Sequence, residues 1–197
     1  MTRVWLPMSG SAYDAFNFGS LAQRCWAVHR GHAGRSRSGA AMRPQCVAGG
    51  EAAVAALQVR LAELVALLQC DMAVVLGTTP SGDFEVTTAV ASPPVPPTGL
   101  WLPGGVTSIC GFAALQEGAV IFDNVIGTAR FRGAQMATTF GAVSSLVVAL
   151  RDRDILIGVL SVHSRAQRSF TSAEAQALER AAGGVAVQLI AARSTAS

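Results

Sequence analysis

The chain of 197 residues contains no lysine. A phosphate-cradling loop of the glycine-rich type closes on a lysine, so an NTPase of that kind is excluded. The four cysteines, Cys25, Cys46, Cys70 and Cys110, are scattered and form no Cys-x-x-Cys pair. Disulfide frameworks belong to small secreted chains, so reduced thiols are expected here. No apolar run approaches the roughly 20 residues that a membrane helix needs. The best candidate, 52–68, is interrupted by Gln58, Arg60 and Glu63. At the start of the chain Arg3 is followed by Trp5, Pro7 and Gly10 instead of a continuous apolar core, so no signal peptide is read and a cytoplasmic protein is expected. Ser144 and Ser145 have no base near them in sequence, and no Ser/His/Asp order suggests acyl transfer.

What is present is apolar and unevenly charged. Hydrophobic residues make up 51% of the chain and charged residues 14%, which favours a globular fold, and the length suits one domain. The net charge of +3 arises at one end. Six of the fifteen basic residues (Arg3, Arg24, Arg30, Arg35, Arg37, Arg43) precede residue 50 against Asp14 alone, which leaves nine arginines facing eleven carboxylates beyond it. Such an arm can touch phosphates without specificity, but it carries no reading motif, so a solvated tail is favoured and no specific nucleic acid is expected. Residues 1–50 therefore read as a disordered Arg/Gly/Ser-rich extension, with a short element near Ser20–Val28 as the one departure. Cys25, His29 and His32 are metal-ligand types at no standard spacing and with no fourth ligand, so metal binding is disfavoured.

From Glu51 to Gln69 a strong helix is expected, with Val54, Leu57, Leu61, Leu64, Val65 and Leu68 on one face. Met72–Gly77 and Phe84–Ala91 read as strands joined by a turn, and Pro93, Pro94, Pro96 and Pro97 stiffen the loop that follows. Thr107 is read as capping a short helix to Gln116, Ala119–Phe122 as a third strand, and 127–140 as a loop with an irregular helix. Val143–Leu150 and Ile155–His163 form a hairpin about the polar turn 151–154, and Gly158 inside it suggests a bulge or a close approach. Thr171 and Glu174 make a capping box for a last helix bearing Leu178, Ala182, Val185, Leu189 and Ala192 at helical spacing.

The stretch ILIGVLSVHSRAQRSFTSAEAQALERAAGGVAVQLIAA resembles the closing hairpin and last helix of a GAF domain, a small-molecule sensing and dimerisation module. The upstream TSICGFAALQEGAVIFDNVIGTARF resembles the middle of the same fold. The order of elements agrees: an α+β fold, with a central antiparallel sheet, the N- and C-terminal helices on one face, and loops and short helices over a ligand pocket on the other. The domain would span 51–193, with 194–197 as a tail. The resemblance implies a homodimer through helices 51–69 and 172–192, although both apolar stripes could equally be consumed by the domain's own core. No output domain follows Ala192, so action in trans on a partner protein, or through dimerisation alone, is expected.

A sheet roofed by coil tends to enclose a void for a small ligand. The segments over it contribute Trp101, Cys110, Phe112, Phe122, Asp123, Arg130, Phe131 and Phe140. Arg130 could clamp a carboxylate or phosphate, but a structural ion pair with Asp123 is favoured, and the aromatics read as wall or core. His163, at a strand end, is read as facing solvent or capping a loop in preference to ligating haem or metal. Haem and cyclic nucleotide remain as ligand types, with no cofactor required. Bilin attachment would want a cysteine beside a histidine, whereas Cys110 lies between Ile109 and Gly111.

Cys110-Gly111 also resembles a step found in free methionine sulfoxide reductases, which are catalytic GAF domains. In that family the attacking cysteine follows a Phe-x-Gly step. Here Phe131-Arg132-Gly133 is present, but 134–139 contains no cysteine. A non-catalytic sensor is thus expected, with a divergent thiol reductase using Cys110 as one alternative and a ligand-free interaction module as another.

Overall fold

The structure, a computed structural model, describes residues 44–131 and 134–194. The expected elements at Cys25, His29 and His32 and near Ser20–Val28 lie outside the described residues. Six strands form one antiparallel sheet in the order β3-β2-β1-β6-β5-β4. Its strands are β1 (Met72–Thr78), β2 (Phe84–Ala91), β3 (Trp101–Leu102), β4 (Val120–Phe122), β5 (Ser144–Asp152) and β6 (Ile155–Ser164). The helices are α1 (Pro44–Leu68), α2 (Ile109–Ala114), α3 (Gln135–Thr138) and α4 (Ser172–Ser194), with a 3₁₀ turn at Ala129–Phe131.

Alternation along the strands divides the core in two. Ala73 and Val75 of β1, Leu146, Val148 and Leu150 of β5, and Leu160 and Val162 of β6 meet Leu57, Leu61, Leu64 and Leu68 of α1 and Leu178, Val185, Leu189 and Ala192 of α4. The expected stripes of both long helices are thus the ones buried, while Val54, Val65 and Ala182 are half-buried at their margins. Met72, Val74, Leu76, Val147 and Val159, pointing the other way, meet Phe112, Phe122, Phe131, Met136 and Phe140 from the irregular segments.

Several boundaries differ from the sequence reading. Helix α1 starts at Pro44, so the Gly49-Gly50 pair lies inside it; proline is tolerated there because a first-turn residue needs no N–H partner. Trp101–Leu102, read as loop, forms an edge strand against Phe84 and Glu85. Helix α2 is capped by Ser108, not Thr107: Ser108 Oγ accepts from Gly111 N at 2.9 Å. The β5–β6 turn tightens to Arg153-Asp154, with Arg153 at φ 54°.

The capping box forms as read. Glu174 N donates to Thr171 Oγ1 at 3.2 Å and Thr171 N donates to Glu174 Oε2 at 2.6 Å. Gly158 marks a close approach, since a β-carbon there would collide with the Leu76 carbonyl oxygen and press on Leu189. The register shift itself lies opposite, between Leu150 and Arg151.

Candidate functional site: a cleft within the roof

Between the strands and the roof the described side chains pack closely. Valine and methionine side chains from β1, β5 and β6 interdigitate with the roof aromatics, and Phe112, Phe122 and Phe131 form a mutually edge-to-face trio with centroids 5.2 to 6.1 Å apart. The cavity lies instead within the roof, as an open-sided cleft of about 520 Å³. One wall runs from Leu102 and Pro103 through Thr107, Ser108 and Ile109 to Cys110; the facing wall is Arg130, Ala134, Gln135, Met136 and Thr138. Such a volume falls in the range of small-molecule sites.

Backbone contacts fix the first wall. Gly104 N donates to Asp83 Oδ1 at 2.9 Å, which together with a bond from Ser81 holds that carboxyl below its ordinary range. A β-carbon on Gly104 would strike the Gly82 carbonyl, and one on Gly111 would strike the backbone of Gly105. Two chain crossings that only glycine allows therefore set where α2 begins. At its other end Arg151 Nη2 donates to Ala114 O at 2.7 Å, satisfying a carbonyl in the helix's last turn.

The facing wall hangs on Phe131, buried in the trio, and on Met136, 4% exposed. Arg130, beside Phe131, lies with its guanidinium carbon 5.5 Å from the Phe112 centroid. Among the described residues no ion pair joins Arg130 to Asp123. Asp123 is exposed and contributes its carbonyl, which accepts from Ser144 Oγ at 2.7 Å.

Of the eight residues expected at the site, Cys110 and Arg130 line the cleft. Phe112, Phe122 and Phe131 stand behind its walls. Phe140 is core, and its carbonyl accepts from Arg165 Nε at 3.1 Å. Trp101 is 53% exposed on the sheet edge and does not line the cleft. The sequence reading missed Thr107, Gln135, Met136 and Thr138, because nothing local places the 130–138 segment opposite the start of α2.

The cleft holds no activated nucleophile. Burial pushes the Cys110 thiol up to about 12. Cys70 lies in the core on the opposite face of the sheet, also raised, to about 11, by burial. The two described thiols are free and separated by the sheet, so they do not form an attacking and resolving pair.

His163 faces neither solvent nor a loop. It is 2% exposed on the roof side of β6, with Nδ1 at 2.7 Å from Ser145 Oγ and Nε2 at 2.9 Å from Ser161 Oγ. A neutral imidazole has one N–H and one lone pair, so one serine accepts and the other donates. Burial pushes its pKa down to about 4, which keeps it neutral. Both ring nitrogens being engaged, the residue does not suit haem or metal, and among the described residues no group of three His, Cys, Asp or Glu gathers. A signal for this cluster was available: Ser161 and His163 are two apart on one strand face, and Ser145 is His163's direct cross-strand partner.

A single antiparallel sheet with its terminal helices on one face and a roof of short helices and coil on the other defines an α+β domain. Comparison with known proteins gives the family. The GAF domain profile matches residues 53–189. The chain belongs to the GAF domain family. Among solved structures, the GAF domain of Thermosynechococcus elongatus PixJ in its blue-light-absorbing form superposes with a TM-score of 0.60 at 16% identity, covering 78% of this chain and 90% of that one. Free methionine-R-sulfoxide reductase from Neisseria meningitidis, in complex with its substrate, gives 0.59 at 19% identity, covering 81% and 98%. The GAF domain of the Acinetobacter phosphoenolpyruvate-protein phosphotransferase gives 0.58 at 14%, covering 79% and 99%. These likenesses establish the fold. A search of curated proteins gives no match. Among the described residues, no helix is long and apolar enough to cross a membrane.

Proposed function

We propose that this protein is a non-catalytic GAF-type sensory domain that binds a small molecule in the roof cleft and signals through its terminal helices. The observation that carries this reading is a cleft of ligand size whose one nucleophile, Cys110, is held protonated by burial. A cleft so lined can bind and be reshaped by a ligand but offers no thiolate to attack one. The reductase alternative has the shared fold and the Cys110-Gly111 step in its favour, but 134–139 carries no cysteine.

Signalling is read from α1 and α4, which pack on each other and on the sheet. Val59, Leu67 and Val187 are each more than 60% exposed, and they favour a homodimer or a partner protein on the outer side of the helix pair. Two free buried thiols agree with a reducing, cytoplasmic setting.

Two measurements test the reading. Free methionine sulfoxide turnover by the wild type and by Cys110→Ser is expected to be absent in both; Cys110-dependent turnover sinks the non-catalytic reading. Thermal shifts against cyclic nucleotides, amino acids and haem probe the cleft, with about 2.7 kcal/mol expected at 100 times the dissociation constant of a true ligand. Native mass spectrometry of the same sample reports the dimer.

A further inference from the structure

The loop between β2 and β3 is short of hydrogen-bond donors. Four of the six residues 92–97 are proline, which has no N–H, so this stretch is held to the rest of the fold chiefly through its carbonyls. Among the described residues, one side chain meets those carbonyls. Arg165 Nη2 donates to Ser92 O at 2.6 Å and to Pro94 O at 2.8 Å, and Nη1 donates to Pro93 O at 3.1 Å. Its Nε donates to Phe140 O at 3.1 Å, so the same guanidinium also reaches the end of the roof. Backbone bonding of the loop to β2 resumes at Gly99 N, which donates to Val86 O at 2.8 Å.

These bonds bridge the end of the sheet. Arg165 directly follows β6 and Ser92 directly follows β2, and β1 lies between them. With neighbouring strands about 4.8 Å apart, the bridge spans roughly 10 Å. It borders the row Ala91, Met72 and His163, which are paired residue to residue across β2, β1 and β6 on the roof side. Met72 is fully buried and His163 is 2% exposed, whereas Pro93, Pro94 and Val95 are exposed. An exposed loop thus shields a buried row while resting on one long side chain.

Such an anchor can let go without unfolding the domain. The backbone of Arg165 is fixed separately, its N donating to Asp71 Oδ2 at 2.8 Å, so the side chain alone has to swing. The carbonyls of the exposed loop and the freed guanidinium then bond to water, which keeps the cost of opening well below that of global unfolding.

We propose that residues 92–97 form a strap across the end of the sheet, buckled by Arg165, whose release opens the roof layer at Met72 and His163. The strap is a second movable part, separate from the roof cleft, and its release needs no ligand there.

Methionine oxidation tests it. The full chain is treated with dilute hydrogen peroxide, and sulfoxide at Met72 is followed by peptide mapping. Arg165→Gln is expected to speed Met72 oxidation at least about tenfold, the factor that goes with losing one bond to a charged donor. Alkylation of Cys110, in α2, is expected to keep its wild-type rate. Unchanged oxidation of Met72, or a rise matched by a rise at Cys110, overturns the proposal. A second measurement needs no variant. In the wild type, Met72 oxidation is expected to stay nearly flat in urea below the unfolding transition, as befits a local opening that exposes little surface. A rate that climbs with the slope of global unfolding means that Met72 is reached only in the unfolded chain, and it overturns the strap.

Discussion

The guanidinium of Arg193 occupies the space that a side chain on Gly77 would need. From there Nη1 donates to Ile157 O at 2.9 Å and Nη2 to Thr78 O at 2.6 Å, so the last turn of α4 is pinned to the ends of β1 and β6. Gly77 pairs with Gly158 across the strands, and the absence of both side chains opens the sheet where the helix settles.

Gly77→Ala is expected to destabilise by about 1–3 kcal/mol, the scale of two lost hydrogen bonds to a charged donor. The obstruction is the tip of a flexible side chain, so the cost should come from displacing Arg193 and not from strain in the strand. In an Arg193→Ala background the same substitution is expected to cost under about 0.5 kcal/mol, since alanine suits a strand at least as well as glycine. Urea unfolding of the double-mutant cycle checks this; additive costs would falsify it.

His163 gives the fold an acid limit. Its pKa falls from 6.5 in the unfolded chain to about 4 in the folded one. A base that is depressed on folding contributes stability that is complete above 6.5 and is lost as pH drops toward 4. The shift corresponds to about 3 kcal/mol. His163→Gln, which cannot titrate, is expected to lose correspondingly less between pH 7 and pH 4 in denaturant titrations. An unchanged pH slope in the variant rules His163 out as the source.

The thiols of Cys110 and Cys70 are raised to about 12 and about 11 and are buried. At pH 8 iodoacetamide is expected to modify both on the order of a hundredfold more slowly than a free thiol, and at ordinary rates in urea. Peptide mapping by mass spectrometry reads the two sites separately. Rapid native labelling of Cys110 would reopen the thiol-enzyme alternative.

Glycines of two kinds are separable by substitution. Gly111→Ala would drive a β-carbon into the Gly105 backbone, and a loss of about 2–4 kcal/mol is expected, with a misplaced cleft wall. Gly183 and Gly184, exposed within α4, face open space. Each is expected to gain about 0.5–1 kcal/mol on mutation to alanine in thermal unfolding. A gain in stability accompanied by loss of the dimer in native mass spectrometry would assign that face to subunit contact.

What could be read from sequence was what is local. The Thr171–Glu174 box, the two helical stripes and the strand at Phe84–Ala91 are written in neighbouring residues, and all three form. The strand Trp101–Leu102 is two residues long and has no period to detect. The hydrogen-bonded seat of buried His163 depends on register, which brings Ser145 beside it from 18 residues away. The cleft was expected over the sheet and is found in the roof, because the bulk of Phe112, Phe122 and Phe131 is legible as apolar but not as the particular trio that fills the space beneath. The pairing of Arg130 with Asp123 is what the family resemblance implies, whereas in space the Phe112 ring lies 5.5 Å from the Arg130 guanidinium carbon.

Glu179 of α4 reaches the edge of the sheet, where its Oε1 accepts from Ala119 N, just before β4, at 2.8 Å. That amide sits five residues beyond the end of α2, the helix that begins at the cleft. The antiparallel sheet is therefore not a partition between two independent halves. A shift in α2 large enough to carry Ala119 with it must either drag the long helix or break a bond to a charged acceptor, so the two layers share a mechanical joint at the sheet's outer edge.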